Sequence, residues 1–455
     1  MRAILFLSFL VFSITSNAQN LPQKLEEALL HLQQDPQLKH SIISMYVVDN
    51  NTGEDIYSKN SETGLAPASC QKIVTSATAF ELLGKQYTYK TKLGYTGTIE
   101  NGKLNGNLWI LGSGDPTLGS WRYSTTKEEL ILSSFEKVCK KLAPAGISGT
   151  LNSNEWGMQT IPDGWIWQDI GNYYGAGPGA INWRENQFDI VLSSGSRIGA
   201  PVSIAGIRPA SINYLNFTNE ITAAAEGSGD NGYIYITPRS TEGYLKGTIP
   251  VRQKEFVISG ALPDPGKQLR LEMQRLLNIS EAGNSHIPET PPQIFYTHTS
   301  PPLDSINYWF LKKSINLYGE ALVKTLAYEK SGHAETDTGV NIIRDFWSVR
   351  GIDKASLKIL DGSGLSPGNR VTTKSLVSIL QYAKDKIWFS SFYHDLPLIN
   401  GIKMKDGYIN GVRSYSGYIN AGNGKKYTFS FIINNFDGNP SSVREKMWKV
   451  LDLLK

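Results

Sequence analysis

Ser69 and Lys72, within Pro67-Ala68-Ser69-Cys70-Gln71-Lys72, put a hydroxyl and an amine one helical turn apart at the head of an apolar segment. A serine hydroxyl is a weak nucleophile until a neighbouring base takes its proton, and a desolvated lysine is such a base near neutral pH. The pair is therefore the minimum apparatus of serine acyl transfer without histidine. Spacing alone does not select it, because Ser134-Phe135-Glu136-Lys137 repeats the S-x-x-K pattern in what reads as an ordinary amphipathic helix. Residues able to share the work lie far downstream: Ser314-Ile315-Asn316, the glycine-rich Asp361-Gly362-Ser363-Gly364-Leu365-Ser366 before Asn369-Arg370, and Lys405-Asp406-Gly407. Ser305-Ile306-Asn307 also spells S-x-N, and Ser314 is chosen over it for its Lys312-Lys313 prefix and Leu317-Tyr318 suffix. The glycine-rich segment lacks the Lys-Ser/Thr of a phosphate-binding loop and reads as a structural turn beside the site. The six histidines are scattered, with no H-E-x-x-H and no cysteine pair, so neither a metal nor a cofactor is expected.

The elements that must position these groups come from both ends of the chain. Ile42 to Val48 reads as a strand, Asn50 to Gly53 as its turn and Glu54 to Ser58 as the return strand, preceded by a polar helix near Leu21 to Leu32. From Gln71 to Leu83 apolar residues occupy every face and Gly84 stands at the C-terminal cap, which predicts a buried helix. Near the other end, Ser414 to Asn420 and Lys426 to Ile433 alternate as paired strands around Asn423-Gly424. Ser442-Val443-Arg444-Glu445 has the form of a capping box opening a helix to Leu454. A sheet built from both ends, with helices on its faces, follows. Thr91 to Pro291 has another texture, with short alternating runs, many glycines and Trp156, Trp165, Trp167 and Trp183, and reads as a β-rich insertion whose tryptophans are mainly core.

Length and composition set the frame. At 455 residues the chain exceeds one ordinary core. With 40% hydrophobic residues, 43 glycines, 21 prolines and only 19% charged residues it reads as globular rather than disordered. A net charge of +4, with no basic run interleaved with aromatics, does not mark a nucleic-acid binder. Arg2, the apolar stretch Ala3 to Ile14 and the small-residue site Ser16-Asn17-Ala18 read as a secretory signal peptide over residues 1–18. No later segment has the length of a membrane span, so the expectation is a periplasmic or secreted, soluble protein. A bridge between its two cysteines, Cys70 and Cys139, is not expected, given their different settings.

In order, S-x-x-K, S-x-N and K-x-G form the pattern of penicillin-recognising acyl transferases. With Gly112-Ser113-Gly114-Asp115-Pro116-Thr117-Leu118, Trp165-Ile166-Trp167-Gln168-Asp169 and Tyr174-Gly175-Ala176 in the long interval, Ser300-Pro301-Pro302-Leu303 before S-x-N, and Gly411-Val412-Arg413 after K-x-G, the chain resembles the class C penicillin-binding proteins, the D-alanyl-D-alanine carboxypeptidase/endopeptidase family. The resemblance runs from about residue 25 to the C-terminus. It implies an α/β (α+β) transpeptidase-like domain of the DD-peptidase/β-lactamase type, formed by residues 19–92 and 292–455. Residues 93–291 would be a two-part β-rich insertion, with a third domain nested at about 198–257.

It also implies that Ser69 attacks the carbonyl between two D-alanines of a peptidoglycan stem peptide and that Lys72 takes its proton. Ser314 would relay a proton to the leaving amine, Asn316 would bind the substrate backbone and Lys405 would hold the site's electrostatics. The backbone N–H groups of Ser69 and Tyr408 would form the oxyanion hole, Gly407 would admit substrate along the strand edge, and Asp169 would receive the amino group of the diamino-acid side chain. β-Lactam antibiotics would be covalent inhibitors, and a homo-oligomer is left open.

One residue departs from the family pattern: Asp406 stands where threonine or serine is usual and helps bind the substrate's terminal carboxylate. An ionised aspartate would repel that group by roughly 1 to 4 kcal/mol at 4 Å. Either Asp406 points away, or it is protonated, or the preferred substrate is one where this contact matters less, such as a cross-link. The rival readings are a β-lactamase or esterase on the same scaffold, and a wall-binding pseudoenzyme.

Overall fold

The structure, a computed structural model, describes residues 20–455 apart from 282 and 287. The segment read as a signal peptide lies outside the described residues. Both chain ends meet in one six-stranded antiparallel sheet, ordered Leu398–Ile399, Ile402–Ile409, Val412–Asn420, Lys426–Asn434, Ile42–Asp49, Asp55–Lys59. Tyr46 lies opposite Ser430 on one side and Ser58 on the other.

Strand alternation sends successive residues to opposite faces. Met45, Val47, Phe429, Phe431 and Tyr415 go to the face covered by the helices Leu21–Gln34 and Pro440–Leu451, which contribute Leu25, Leu29, Val443 and Met447. The other face carries small hydroxyls, with Ser44, Ser414, Ser416 and Ser430 all without exposed surface. They are paired: Ser44 Oγ meets Thr373 Oγ1 at 2.8 Å, Ser416 Oγ meets Ser430 Oγ at 2.8 Å and Ser414 Oγ donates to the Pro67 carbonyl at 2.5 Å. Small side chains here let the helix layer approach the strands closely. That layer, including Lys72–Leu82, Asn316–Ser331 and Thr373–Lys384, encloses the largest apolar cluster, with Ile73, Phe80, Phe310, Tyr318, Trp347 and Phe392 at its centre.

The long interval forms two further β-rich bodies with separate cores. In the first, Lys90–Glu100 pairs with Lys103–Leu111 and with Gln293–Thr299, Lys90 lying opposite Thr299, so the start and end of the excursion are held side by side. The helices Glu128–Leu142 and Pro265–Leu277 pack on it through Ile131, Phe135, Leu269 and Met273. In the second, a three-stranded sheet centred on Gln187–Ser193 and a four-stranded sheet around Glu242–Pro250 share a core of Phe188, Ile190, Ile234 and Leu245.

Three local details sharpen the sequence reading. The last long helix starts at Pro440, not Ser442, because Asn439 accepts from the Ser441 N–H at 2.7 Å and proline is pre-organised for the first helical position. Ser134-Phe135-Glu136-Lys137 sits within the helix Glu128–Leu142, with Phe135 buried and Ser134 paired to Tyr296. The tryptophans divide: Trp183 and Trp165 are buried, Trp167 is exposed and Trp156 is half-buried against Tyr328. Cys70 and Cys139 are both free and buried. No described helix is long and apolar enough to cross a membrane.

Candidate active site

The turn that carries Ser69 is built by close backbone approach from two sides. Ala68, just before Ser69, has φ +46°, and the 3₁₀ turn Ala68–Gln71 runs directly into the helix that starts at Lys72. A non-glycine residue at positive φ is costly and persists where its surroundings over-determine it. One wall is Gly364, whose added Cβ would lie 1.9 Å from the Ala68 carbonyl oxygen. The other is the strand Ile402–Ile409, where a Cβ on Gly407 would lie 2.3 Å from Ser414 Oγ, 2.7 Å from the Pro67 oxygen and 2.8 Å from the Ser69 nitrogen. Both glycines are required by contact. Gly407→Ala is expected to push strand and turn apart and slow acylation by about 100-fold, the scale of a 1 Å displacement of reacting groups. Stopped-flow acylation by a chromogenic penicillin checks it.

Lys72 is fully buried, and its ammonium nitrogen is met by three oxygens: Ser69 Oγ at 2.9 Å, Asn316 Oδ1 at 2.7 Å and the Ser363 carbonyl at 2.8 Å. Burial foremost, then the positive charge of Lys405, pull Lys72 down to about 7, against the opposing charges of Asp361, Glu320 and Asp406. An amine of that basicity is half free at neutral pH and aimed at a serine hydroxyl. A Lys72 that takes the Ser69 proton must first be neutral, so acylation at Ser69 is expected to rise with pH through about 7 and to lose roughly tenfold per pH unit below it. A pH profile of the second-order acylation rate measures this limb.

Of the other residues singled out in the sequence, Asn316 is in direct contact with the pair. It opens the helix Asn316–Ser331 and its Nδ2 donates to the Tyr174 carbonyl at 2.8 Å, tying a loop of the inserted region to the site. Asp169, on the short helix Trp167–Ile170, lies against Tyr174; burial pushes its carboxyl up while the Tyr174 hydroxyl pulls it back. Ser314 is half-buried and sits at φ +57°, a strained non-glycine position immediately ahead of the same helix. No hydrogen bond joins its hydroxyl to Ser69, Lys72 or Lys405 among the described residues. Ser305 and Asn307 lie in the separate helix Leu303–Lys312, where buried Asn307 bonds Ser76 and Asp395.

Lys405, also buried, turns its ammonium back on the next residue, donating to the Asp406 carbonyl at 2.7 Å and to Asp406 Oδ1 at 3.0 Å. Burial alone would raise the Asp406 carboxyl; the charge and hydrogen bond of Lys405, with Arg413 nearby, hold it below the usual aspartate range. Of the three alternatives raised by this residue, protonation is the one this disfavours. The pair stands just beyond the covered stretch of the edge, since Leu398–Ile399 pairs as far as Lys403 and the last backbone bond from that side runs from the Met404 N–H to the Pro397 carbonyl at 3.0 Å. Tyr408 follows Gly407 on that edge, its ring exposed beneath the Arg413 guanidinium at 4.9 Å.

The turn Asp361–Ser366 does more than its sequence suggested. Asp361 accepts from the Gln71 and Asn369 side-chain amides, Trp165 Nε1 and the Gly364 and Ser366 N–H groups, fixing a turn whose Ser363 carbonyl is a direct partner of Lys72. The contribution is a backbone atom, which side-chain motifs do not register. The arrangement as a whole offers a half-exposed hydroxyl, a buried amine of matched basicity and a bare strand edge.

The family model described as the D-Ala-D-Ala carboxypeptidase 3 (S13) family matches residues 23–453. A D-alanyl-D-alanine carboxypeptidase of an Actinomadura species is 26% identical over 404 residues, covering 82% of this chain and 70% of that protein. The D-alanyl-D-alanine carboxypeptidase DacB of Haemophilus influenzae is 26% identical over 373 residues, covering 80% of this chain and 73% of its own. A crystal structure of penicillin-binding protein 4 (dacB) from the same organism shares the fold with a TM-score of 0.78 at 23% identity, over 94% of this chain and 97% of that one. A second structure of that protein, complexed with a β-lactam, gives 0.74 at the same identity and coverage.

Proposed function

The chain belongs to the D-Ala-D-Ala carboxypeptidase 3 (S13) family of serine peptidases, and from that premise we propose that Ser69 is the nucleophile with which it cleaves D-alanyl bonds of peptidoglycan stem peptides. The observation that carries the assignment is the buried Lys72 amine held 2.9 Å from Ser69 Oγ by Asn316 and Ser363. Ser69 Oγ bonds to the carbonyl carbon as its proton passes to Lys72 Nζ, giving a tetrahedral oxyanion. The Ser69 and Tyr408 N–H groups receive that oxyanion, where one lost donor costs about 3 kcal/mol. Collapse breaks the C–N bond, and the proton returns through Ser314 to the leaving amine. Water then attacks the acyl-enzyme by the same route in reverse. Asn316 and the strand edge at Gly407 align the acyl half, and Asp169 receives the amino group of the diamino-acid side chain.

Residues 19–92 and 292–455 form the catalytic part in this reading, apart from the strand Gln293–Thr299 that pairs with Lys90–Glu100 in the first inserted body; residues 93–291 form the insertion, whose nested body, expected at about 198–257, has a core that extends from Phe188 to Leu262. The enzyme acts outside the cytoplasmic membrane after removal of residues 1–18. β-Lactams are its covalent inhibitors, a reading supported by the β-lactam complex of the Haemophilus influenzae protein.

The Lys405–Asp406 pair bears on which D-alanyl bond is cleaved. A substrate ending in free D-alanine brings a carboxylate to an edge where the cation is already matched by an anion. Asp406→Thr is expected to raise the carboxypeptidase rate on a D-Ala-D-Ala peptide by about tenfold or more, the equivalent of removing about 1.4 kcal/mol of repulsion. Cleavage of cross-linked dimers should change little; equal effects on both would overturn the repulsion argument. Digestion of purified cross-linked muropeptides tests the whole reading. Release of D-alanine or monomers supports a peptidase, rapid penicillin turnover alone points to a β-lactamase, and binding without any product would leave a wall-binding protein.

A further inference from the structure

The helix Asn316–Ser331 is buried along most of its length, yet it carries Asn316, Glu320 and Lys324 one turn apart on one face. Each engages a different neighbour. Asn316 meets Lys72 and the Tyr174 carbonyl, and Lys324 Nζ donates to the Gln159 carbonyl at 2.6 Å. Between them, Glu320 is 1% exposed and takes the Gly362 N–H on one oxygen at 3.0 Å and the Ser363 N–H on the other at 2.8 Å.

A buried carboxylate is costly unless its oxygens are satisfied, and here the donors belong to the turn that faces the base. Helix and turn touch backbone to backbone: a Cβ on Gly362 would lie 2.3 Å from the Gly319 oxygen, and one on Gly319 would lie 3.1 Å from the Gly362 carbonyl. Ser363 is thus gripped at its amide by Glu320 while its carbonyl receives Lys72 Nζ.

We propose that Glu320 is a positioning residue for acyl transfer, clamping the Gly362–Ser363 segment so that the Ser363 carbonyl and Asn316 aim the Lys72 amine at Ser69. This rests on the assignment of Lys72 as the base. Glu320 also faces Lys72 as a buried acid. The charged groups around Lys72 are Lys405 and Asp406 on the strand, Asp361 on the turn and Glu320 on the helix, with the Phe310 ring as the apolar wall. Those around Glu320 are Asp361, Lys72 and Lys324. Burial and Asp361 push the Glu320 carboxyl up, while the Gly362 N–H, the Ser363 hydroxyl and Lys72 draw it back.

The test compares full-length mature protein with Glu320→Gln and Glu320→Asp, using fluorescent penicillin and mapping the labelled residue in the parent first. Glu320→Gln removes the charge and leaves one amide without its acceptor, so acylation should slow by about tenfold to a hundredfold. The two N–H donors, one on each oxygen, fit an ionised carboxylate, and without that anion Lys72 gives up its proton more readily, so the acid limb should move to lower pH. Glu320→Asp keeps the charge but draws it back from the amides; it should be slow with the limb unmoved. A parent unlabelled at Ser69 would overturn the catalytic assignment itself. A labelled parent whose rate and pH profile coincide with those of Glu320→Gln would overturn the role of Glu320 alone. So would two variants that merely melt earlier and label in smaller amount, with an unchanged rate per active molecule.

Discussion

Ser69→Ala is expected to yield a folded protein that takes up no covalent penicillin and hydrolyses peptide about 10⁴-fold more slowly or worse. The fold should survive, because the lost hydroxyl is half-exposed and Lys72 Nζ keeps its contacts with Asn316 Oδ1 and the Ser363 carbonyl. No neighbour can stand in as nucleophile. Cys70 adjoins it in sequence, but its thiol is fully buried, donates to the Lys405 carbonyl at 3.2 Å and is pushed up to about 11 by desolvation, so no useful thiolate forms. Ser363 has no exposed surface, and among the described residues no hydrogen bond joins the Ser314 hydroxyl to Lys72, whose Nζ is directed at Ser69 instead. Intact-mass spectrometry after exposure to penicillin decides the matter: an adduct on the alanine variant would sink the nucleophile assignment.

How much of this was legible beforehand depends on whether a function resides in a side chain or in the backbone. The meeting of Ser69, Lys72 and Asn316 was readable because acyl transfer would draw on a hydroxyl, an amine and an amide, and their flanks set them apart from the look-alikes at Ser134 and Ser305. The α/β architecture was readable because both ends alternate as strands, which pair as one six-stranded sheet. What escaped were contacts whose chemistry any residue could supply: the Ser363 carbonyl on Lys72 and the positive φ of Ala68 and Ser314. Glu320 escaped for another reason. It sits in a helix hydrophobic enough to pass for plain core, and only its spacing of four from Asn316 and from Lys324 hinted at a shared face. Asp406 was legible as an anomaly but not as an ion pair, since neighbouring strand residues point to opposite faces and a contact between Lys405 Nζ and Asp406 Oδ1 requires the long lysine to fold back over the strand edge.

Lys72→Met is expected to lower acylation by about 10²- to 10⁴-fold while preserving substrate binding, the range for removing a positioned general base. Methionine fills nearly the same volume, so the loss reports the amine rather than a cavity. The substitution has a second, independent signature in stability. In the folded chain burial brings Lys72 to about 7 from an ordinary value of 10.5. Between those two values the unfolded chain holds a proton that the folded chain lacks, so this group makes the fold more stable as pH rises, by up to about 1.4 kcal/mol per pH unit. Lys324, lowered to about 8 chiefly by burial, acts in the same direction and remains in the variant. Buried tyrosines such as Tyr89 and Tyr418, raised by desolvation, act the other way as pH nears 10, so the expected result lies in the difference: between pH 7 and pH 9 the denaturation midpoint of Lys72→Met should gain less with pH than the parent's. Its disabled acylation should show no recovery at high pH. A variant that acylates normally, or whose stability follows pH with the same slope as the parent's, would mean that the Lys72 amine is not the desolvated base on which the site depends.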